Sequence, residues 1–231
     1  DEKVQRTQAS CNELAKQIMR VVHEDGAVEA LPGIYLSRRA TPTELGHGIW
    51  PCSFCVIAQG SKELLLGGER YHYDPAHYLI ATATLPVASR IVEASPEQPY
   101  LGLVFTLDPT LVSSVMVEAD SPVLHSQSPV RAINVSPLDA ALLDAVVRLV
   151  RLIDTPEEAR FLTPLIKREI IFRLLMGEQS SRLRYVAGAG GNPQRIAAAI
   201  ARLHIDSAAR QAPRTIQRVM KALGFDRMPD L

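Results

Sequence analysis

The sequence predicts an α+β fold, with strands gathered in the first half of the chain and helices in the second. Three observations carry this reading. Residues 31–107 run in short segments rich in Val, Ile, Leu, Tyr and Thr, punctuated by Gly, Pro, Asp and Ser. From Asp108 onward, apolar residues recur at helical spacing behind Asp-Pro, Ser-Pro and Thr-Pro starts. A glycine-rich stretch, "GAGGNPQ" at residues 188–194, then sets off a basic tail. Strands followed by helices, rather than alternating with them, speak against a parallel α/β sheet. Many short strands at this spacing suggest a small antiparallel barrel or sandwich.

The elements follow in order. "CNELAKQIMRVVHEDG" places Leu14, Ile18, Val21 and Val22 on one helical face, with Gly26 positioned to stop the helix. In "LLLGGERYHY", Gly67-Gly68 reads as the turn of a hairpin. Asp108 and Pro109 suit the N-cap and first position of a helix. Residues 121–137 are polar and broken by prolines, so they read as a surface excursion. Ser136, Pro137 and Asp139 read as a capping box for a helix with the stripe Leu138, Leu142, Val146, Leu149, Val150 and Ile153. Two Thr-Pro steps, at Thr155 and Thr163, read as two further helix starts, and Gly177 as a stop. The implied organisation is an N-terminal helix (1–30), a β-module (31–108), a helical packing or dimerisation region (109–190) and a basic helical tail (191–231).

Composition is that of a globular protein, with 47% hydrophobic and 22% charged residues, which disfavours a disordered chain. Basic and acidic residues balance at 25 each, but unevenly along the chain. Residues 192–231 hold seven basic and three acidic residues, a pattern compatible with an anionic partner. Three cysteines, Cys11, Cys52 and Cys55, make no disulfide framework and suit a reducing compartment. No apolar run reaches the ~18–20 residues of a membrane span, and the first residues are not a secretory signal. These features point to a cytoplasmic protein, and the missing initiator Met to a piece of a longer chain.

Within the tail, "APRTIQRVMKALG" (212–224) has Pro213 at a helix start and Gly224 after its end. Ile216, Val219, Met220 and Leu223 make an apolar back, while Arg214, Thr215, Gln217, Arg218 and Lys221 make a polar, positive front. Arg and Gln read base edges in the major groove, and Thr and Lys touch phosphates. An ordinary surface helix has the same pattern. The eight residues between His204 and Pro213 are too few for a linker, a second helix and a turn, since one helical turn takes ~3.6 residues.

A family likeness rests on residues 64–109, "LLLGGERYHYDPAHYLIATATLPVASRIVEASPEQPYLGLVFTLDP". Its Gly-bounded hairpin, Tyr-x-Tyr-Asp-Pro step, Leu-Pro-Val turn and Glu-Ala-Ser-Pro…Pro-Tyr-Leu return strand resemble the N-terminal effector domain of AraC-type transcription regulators. The likeness extends over roughly residues 31–202, through "PCSFCVIAQGSK" and "RLVRLIDTPEEARFLTPLIKREIIFRLLMGEQ". The resemblance implies a cupin-like antiparallel β-barrel that binds a small-molecule effector, helices for homodimerisation, and helix-turn-helix subdomains that bind DNA. In the tail, "NPQRIAAAIARL" looks like the first helix of that DNA-binding region and "PRTIQR" like a reader helix in a compressed helix-turn-helix remnant. A second helix-turn-helix has no counterpart before Leu231. The rival readings are a truncated regulator that acts through heterodimers without binding DNA, and a cupin-type metalloenzyme.

Residue chemistry favours no enzyme. His72 and His77 are separated by four residues, where cupin enzymes show His-x-His followed by Glu and a later His, so spacing alone assembles no metal site. Cys52-x-x-Cys55 lacks a second pair for zinc, and Cys55 in "SFCVIA" reads as a packed strand residue. No nucleophile elbow or phosphate loop occurs. The expectation is thus no catalytic residue, no metal and no cofactor. Tyr71, Tyr73, Arg90 and Tyr100 are the candidates to line an effector site. Leu142, Val146, Leu149 and Ile153 are the candidate dimer stripe, with intramolecular core as the equal alternative.

Overall fold

A computed structural model describes residues 2–119 and 131–189. The chain opens with helix α1 (Glu2–Val21) and continues through nine strands: β1 (Gly26–Leu31), β2 (Ile34–Arg39), β3 (Gly46–Trp50), β4 (Ser53–Gln59), β5 (Ser61–Leu66), β6 (Glu69–Tyr73), β7 (His77–Ala81), β8 (Leu85–Glu93) and β9 (Tyr100–Thr106). Then follow α2 (Pro109–Glu118), β10 (Ile133–Pro137), α3 (Ala140–Arg151), α4 (Pro156–Met176) and α5 (Ser180–Ala189).

The strands form two antiparallel sheets, one of order β1-β2-β9-β4-β7-β10 and one of order β3-β8-β5-β6. The two stay separate ladders, and no closed barrel is formed among the described residues. Between β5 and β6 the hairpin turns on Gly67 and Gly68, with φ of 58° and 81°. Both central residues sit at positive φ, as the tight two-residue turn demands, and glycine takes that region without a Cβ clash.

Period-two alternation divides the residues of the larger sheet between two cores. On β4, Phe54, Val56 and Ala58 join a core shared with the helices, while Cys55 and Ile57 face the smaller sheet. On β9, Leu101, Leu103 and Phe105 face the helices and Tyr100 the other way. Both faces of these central strands are covered, so they read as near-continuous apolar runs. The molecule is therefore layered: helices, large sheet, small sheet.

Several local expectations need correction. Gly26 does not stop α1; the helix ends at Val21 and Gly26 begins β1. Residues 133–137 are not a surface excursion but β10, which pairs with β7 from Ile133↔Ala81 to Pro137↔His77. Ser136 therefore lies in a strand, and Asp139 alone caps α3, accepting from the amides of Ala141 (2.9 Å) and Leu142 (2.8 Å). The two Thr-Pro steps are one helix, with Pro164 inside α4. An interior Pro costs about 3 kcal/mol, which burial of Ala159, Ile166, Ile170, Ile171, Leu174 and Leu175 along that helix offsets. Asp108 caps α2 as expected, accepting from the amide of Thr110 at 2.8 Å.

The stripe Leu142, Val146, Leu149 belongs to the chain's own core, where α3 packs on α1 and α4, and Ile153 leans on the same core. Leu142, Val146 and Leu149 are at most 2% exposed and are not available to a partner. Arg148 fastens α3 to α4 through both carboxylate oxygens of Glu169, each at 2.7 Å, and Arg173 completes the network.

Candidate functional site

The inner faces of the two sheets bring polar groups against a core formed by Ile57, Leu64, Leu79, Leu85, Val87 and Ile91. Strand pairing decides which side chains arrive there. Lys62 is paired with Tyr73 and Ile91, and Leu64 with Tyr71, so all of these project toward the large sheet. From the large sheet, Ser37 is paired with Gly102, and Arg39 with Tyr100, on the face turned toward the smaller sheet. Trp50 enters from β3, paired with Leu85.

At the centre, the Lys62 ammonium stands 4.2 Å from the centroid of the Trp50 ring. Lys62 keeps some surface, yet desolvation is the largest influence on it and lowers its pKa to about 8; the nearby Cys55 opposes this and Arg39 adds to it. No carboxylate among the described residues is paired with Lys62 or Arg39; the Arg39 guanidinium donates only to the Arg38 carbonyl, at 3.1 Å. The Trp50 Nε1–H is buried without a hydrogen-bond acceptor. It lies near enough to Cys55 to favour the thiolate weakly, but not in hydrogen-bond geometry.

Tyr73 and Tyr100 are buried and hydrogen-bond to each other, with Ser37 also at the Tyr100 hydroxyl. Desolvation pushes both phenols up, so they remain neutral donors. The Tyr100 ring lies across Gly102: a Cβ built there would meet the phenol oxygen at 2.4 Å and the ring at 2.9 Å. Glycine is thus required at 102 by close approach. Gly48 shows the opposite. It sits on the inner face opposite Val87, and a Cβ there would meet nothing within 4 Å. A side chain at that edge position would have room.

Of the four sequence candidates, Tyr73 and Tyr100 lie within this core, and Tyr71 packs at its margin with its hydroxyl on Glu69. Arg90 points to the outer face of the small sheet and donates to Glu63 at 2.7 Å. Sequence reasoning missed Lys62, Trp50, Arg39, Ser37 and Gly102. The signal for Lys62 was present: in "SKELLL" it shares the phase of Leu64 and Leu66. A charge on the apolar phase of a strand is an anomaly that asks for a partner.

Cys52 and Cys55 face different cores across the large sheet, so Cys-x-x-Cys forms no thiol pair. Burial pushes their thiols up to about 12 and about 11, which keeps both protonated. His77 pairs with Asp74 at 2.7 Å, and His72 lies opposite Glu63 on the outer face. No group of three or more His, Cys, Asp or Glu side chains able to hold a metal occurs among the described residues. Arg214, Thr215, Gln217, Arg218 and Lys221 lie outside the described residues. No helix among the described residues is long and apolar enough to cross a membrane.

Residues 30–182 match the family model of the AraC-type transcriptional regulator N-terminus. No curated protein matches the chain. Among solved structures, ToxT of Vibrio cholerae strain SCE256 with bound unsaturated fatty acid is 10% identical, with a TM-score of 0.46 over 85% of this chain and 69% of that one. ToxT of Vibrio cholerae O395 bound to (E)-4-(8-methylnaphthalen-1-yl)but-3-enoic acid is 11% identical, with a TM-score of 0.48 over 85% of this chain and 76% of that one.

Proposed function

The chain belongs to the AraC-type transcriptional regulators through their N-terminal domain, and from that premise we propose that it senses a small molecule between its two sheets and thereby controls a DNA-binding end. The observation that carries this reading is the polar cluster of Lys62, Arg39 and Trp50, which has no carboxylate partner among the described residues, beside the open position at Gly48. A packed structural core has no use for cations without counterions, which cost several kcal/mol when desolvated. A binding space does. In this reading the two sheets serve as the cupin-like cup of the family, and Tyr73 and Tyr100 are ligand-facing donors.

Control follows from differential affinity: a ligand that prefers one arrangement of sheets and helices shifts the population toward it. The large sheet is the mechanical link, because its central strands touch the inter-sheet space on one face and the helices on the other. DNA contact is assigned to Arg214, Thr215, Gln217, Arg218 and Lys221, in a cytoplasmic protein. The homodimer is assigned to α4, whose Phe161 and Leu165 are 76% and 60% exposed and share a face with Phe172 and Met176.

Trp50 is the single tryptophan of the chain, so its fluorescence reports on the site directly. Titration with a panel of small molecules should give a saturable change that Gly48→Leu, which fills the open position, removes without unfolding the protein. Binding that survives in Gly48→Leu would place the effector elsewhere and refute the reading. For the DNA end, affinity for duplex should fall linearly on a log–log plot against salt. An absence of DNA binding even at low salt would refute that part.

A further inference from the structure

We propose that the exposed apolar face of α4 docks the chain's own basic tail through Ile216, Val219, Met220 and Leu223, and that this contact competes with the homodimer assigned to the same face. On α4, Phe161, Leu162 and Leu165 stand exposed over one turn, and Phe172 and Met176 continue the stripe. Such a face gains free energy when something covers it. The four tail residues lie outside the described residues, and in sequence they fall at i, i+3, i+4 and i+7. The eight residues between His204 and Pro213 are too few to supply a covering helix just before them. The two stripes also match in length: Phe161 to Arg168 and Ile216 to Leu223 each amount to about 10 Å of helix.

The fold delivers the tail to this face. α5, the last described helix before the tail, packs on both α2 and α4. Near its end, the Ala187 carbonyl accepts from the Ser113 hydroxyl of α2 at 3.2 Å. The next residue of α2, Ser114, accepts from the Arg168 guanidinium of α4 at 2.8 Å. The tail thus leaves the described fold beside Arg168, about one helical turn from Leu165 and two from Phe161. Residues 190–212, roughly 23 in number, span about 26 Å as a flexible chain, well beyond the ~10 Å from Arg168 to Phe161. Charge agrees as well. Glu157 and Glu158 are exposed in the first turn of α4, beside Phe161, and the tail stripe is accompanied by Arg214, Arg218 and Lys221.

Tethering decides which occupant wins in the monomer. A short flexible linker gives the tail an effective concentration in the millimolar range, which a second copy must approach to displace it at equal intrinsic affinity. A copy that pairs through α4 has to expel the tail, so dimer formation and tail release are one equilibrium. By reciprocity, whatever draws the tail away, such as duplex DNA, favours the dimer. This consequence rests on the assignment of the homodimer to α4; the docking itself does not.

The test uses the full chain carrying Leu165→Cys and Met220→Cys, oxidised at low micromolar concentration, with the links mapped by mass spectrometry. The two introduced thiols should join within one chain, at least about tenfold faster than in Leu165→Cys with Gln217→Cys, which probes the polar front of the same segment. The oxidised chain should stay monomeric at concentrations where the wild type pairs. In a variant without new thiols, Phe161→Asp should let trypsin cut after Arg214 and Arg218 at least about tenfold faster, with circular dichroism unchanged. Equal rates for back and front would overturn the docking, since the tether alone would then bring the thiols together. Links only between α4 of two copies would overturn it and leave the homodimer standing. Absence of any link, or unchanged cleavage in Phe161→Asp, would overturn it too. An oxidised chain that still dimerises would overturn the competition.

Discussion

Replacing Lys62 with Met should stabilise the protein at neutral pH, because the lysine is held charged in a place that disfavours charge. A pKa brought from 10.5 to about 8 corresponds to at most about 3 kcal/mol of folding free energy lost. Two effects reduce this. Lys62 keeps some surface, so solvent screens part of the penalty. Its stacking on Trp50 at 4.2 Å returns roughly 0.5–1 kcal/mol to the charged form. Methionine keeps the length and the contact with the indole, so packing changes little. A gain of about 1–2 kcal/mol at pH 7 is expected. The sign can be checked by pH. The folded lysine titrates near 8 and the unfolded one near 10.5, so between those values the unfolded state holds more protons. Wild-type stability therefore rises across that window relative to the variant, and the variant's advantage shrinks. Urea unfolding followed by far-ultraviolet circular dichroism at pH 7 and pH 9.5 measures both effects, and other titrating groups cancel in the difference. A variant less stable than wild type at pH 7, or an advantage that persists at pH 9.5, would refute the reasoning.

Other outcomes follow from the same structure. Gly102→Ala should destabilise by about 1–3 kcal/mol in denaturant melts, because the new Cβ overlaps the Tyr100 phenol; it should also alter Trp50 fluorescence less than Gly48→Leu does. Burial raises the Glu169 pKa, but hydrogen bonds from Arg148 and Arg173 outweigh it and bring the value below 4.5, so this carboxylate stabilises the fold above that pH and its contribution is lost as pH falls through the folded pKa. Glu169→Gln should cost about 1–2 kcal/mol at pH 7 and progressively less as acid protonates Glu169 in acid-unfolding curves. Asp139→Ala should cost about 1 kcal/mol, read as a lowered melting temperature, since two amides lose their cap. Cys52 and Cys55 should react with iodoacetamide at pH 8 far more slowly than a free thiol, as timed by mass spectrometry.

Much of the architecture was legible because it is local. The hairpin at Gly67-Gly68, the Asp108 cap and the apolar face of α1 each depend on residues a few positions apart. β10 was not legible. Its five residues hold a serine, an asparagine and a proline, and they become a strand only because β7 offers an edge. Pro164 looked like a boundary, since an interior proline breaks a helix when nothing else holds it; here one buried face of α4 does. The candidate site divides in the same way. Tyr73 and Tyr100 stood out as aromatic residues in strands, and both are inside. Arg90 lies on the outer face of the small sheet, a facing set by the register of β8 against β5, which no local pattern states.

By itself the sequence determined the α+β class, the coarse order of strands before helices, the family likeness and a basic tail, because periodicity, caps and turn residues act over short distances along the chain. Tertiary structure alone decided that Lys62, Arg39 and Trp50 come together, since β5, β2 and β3 meet only through the pairing and stacking of two sheets. Side-chain chemistry is written residue by residue. Which unsatisfied groups face one another is a property of registers, and those are settled only when the whole core packs.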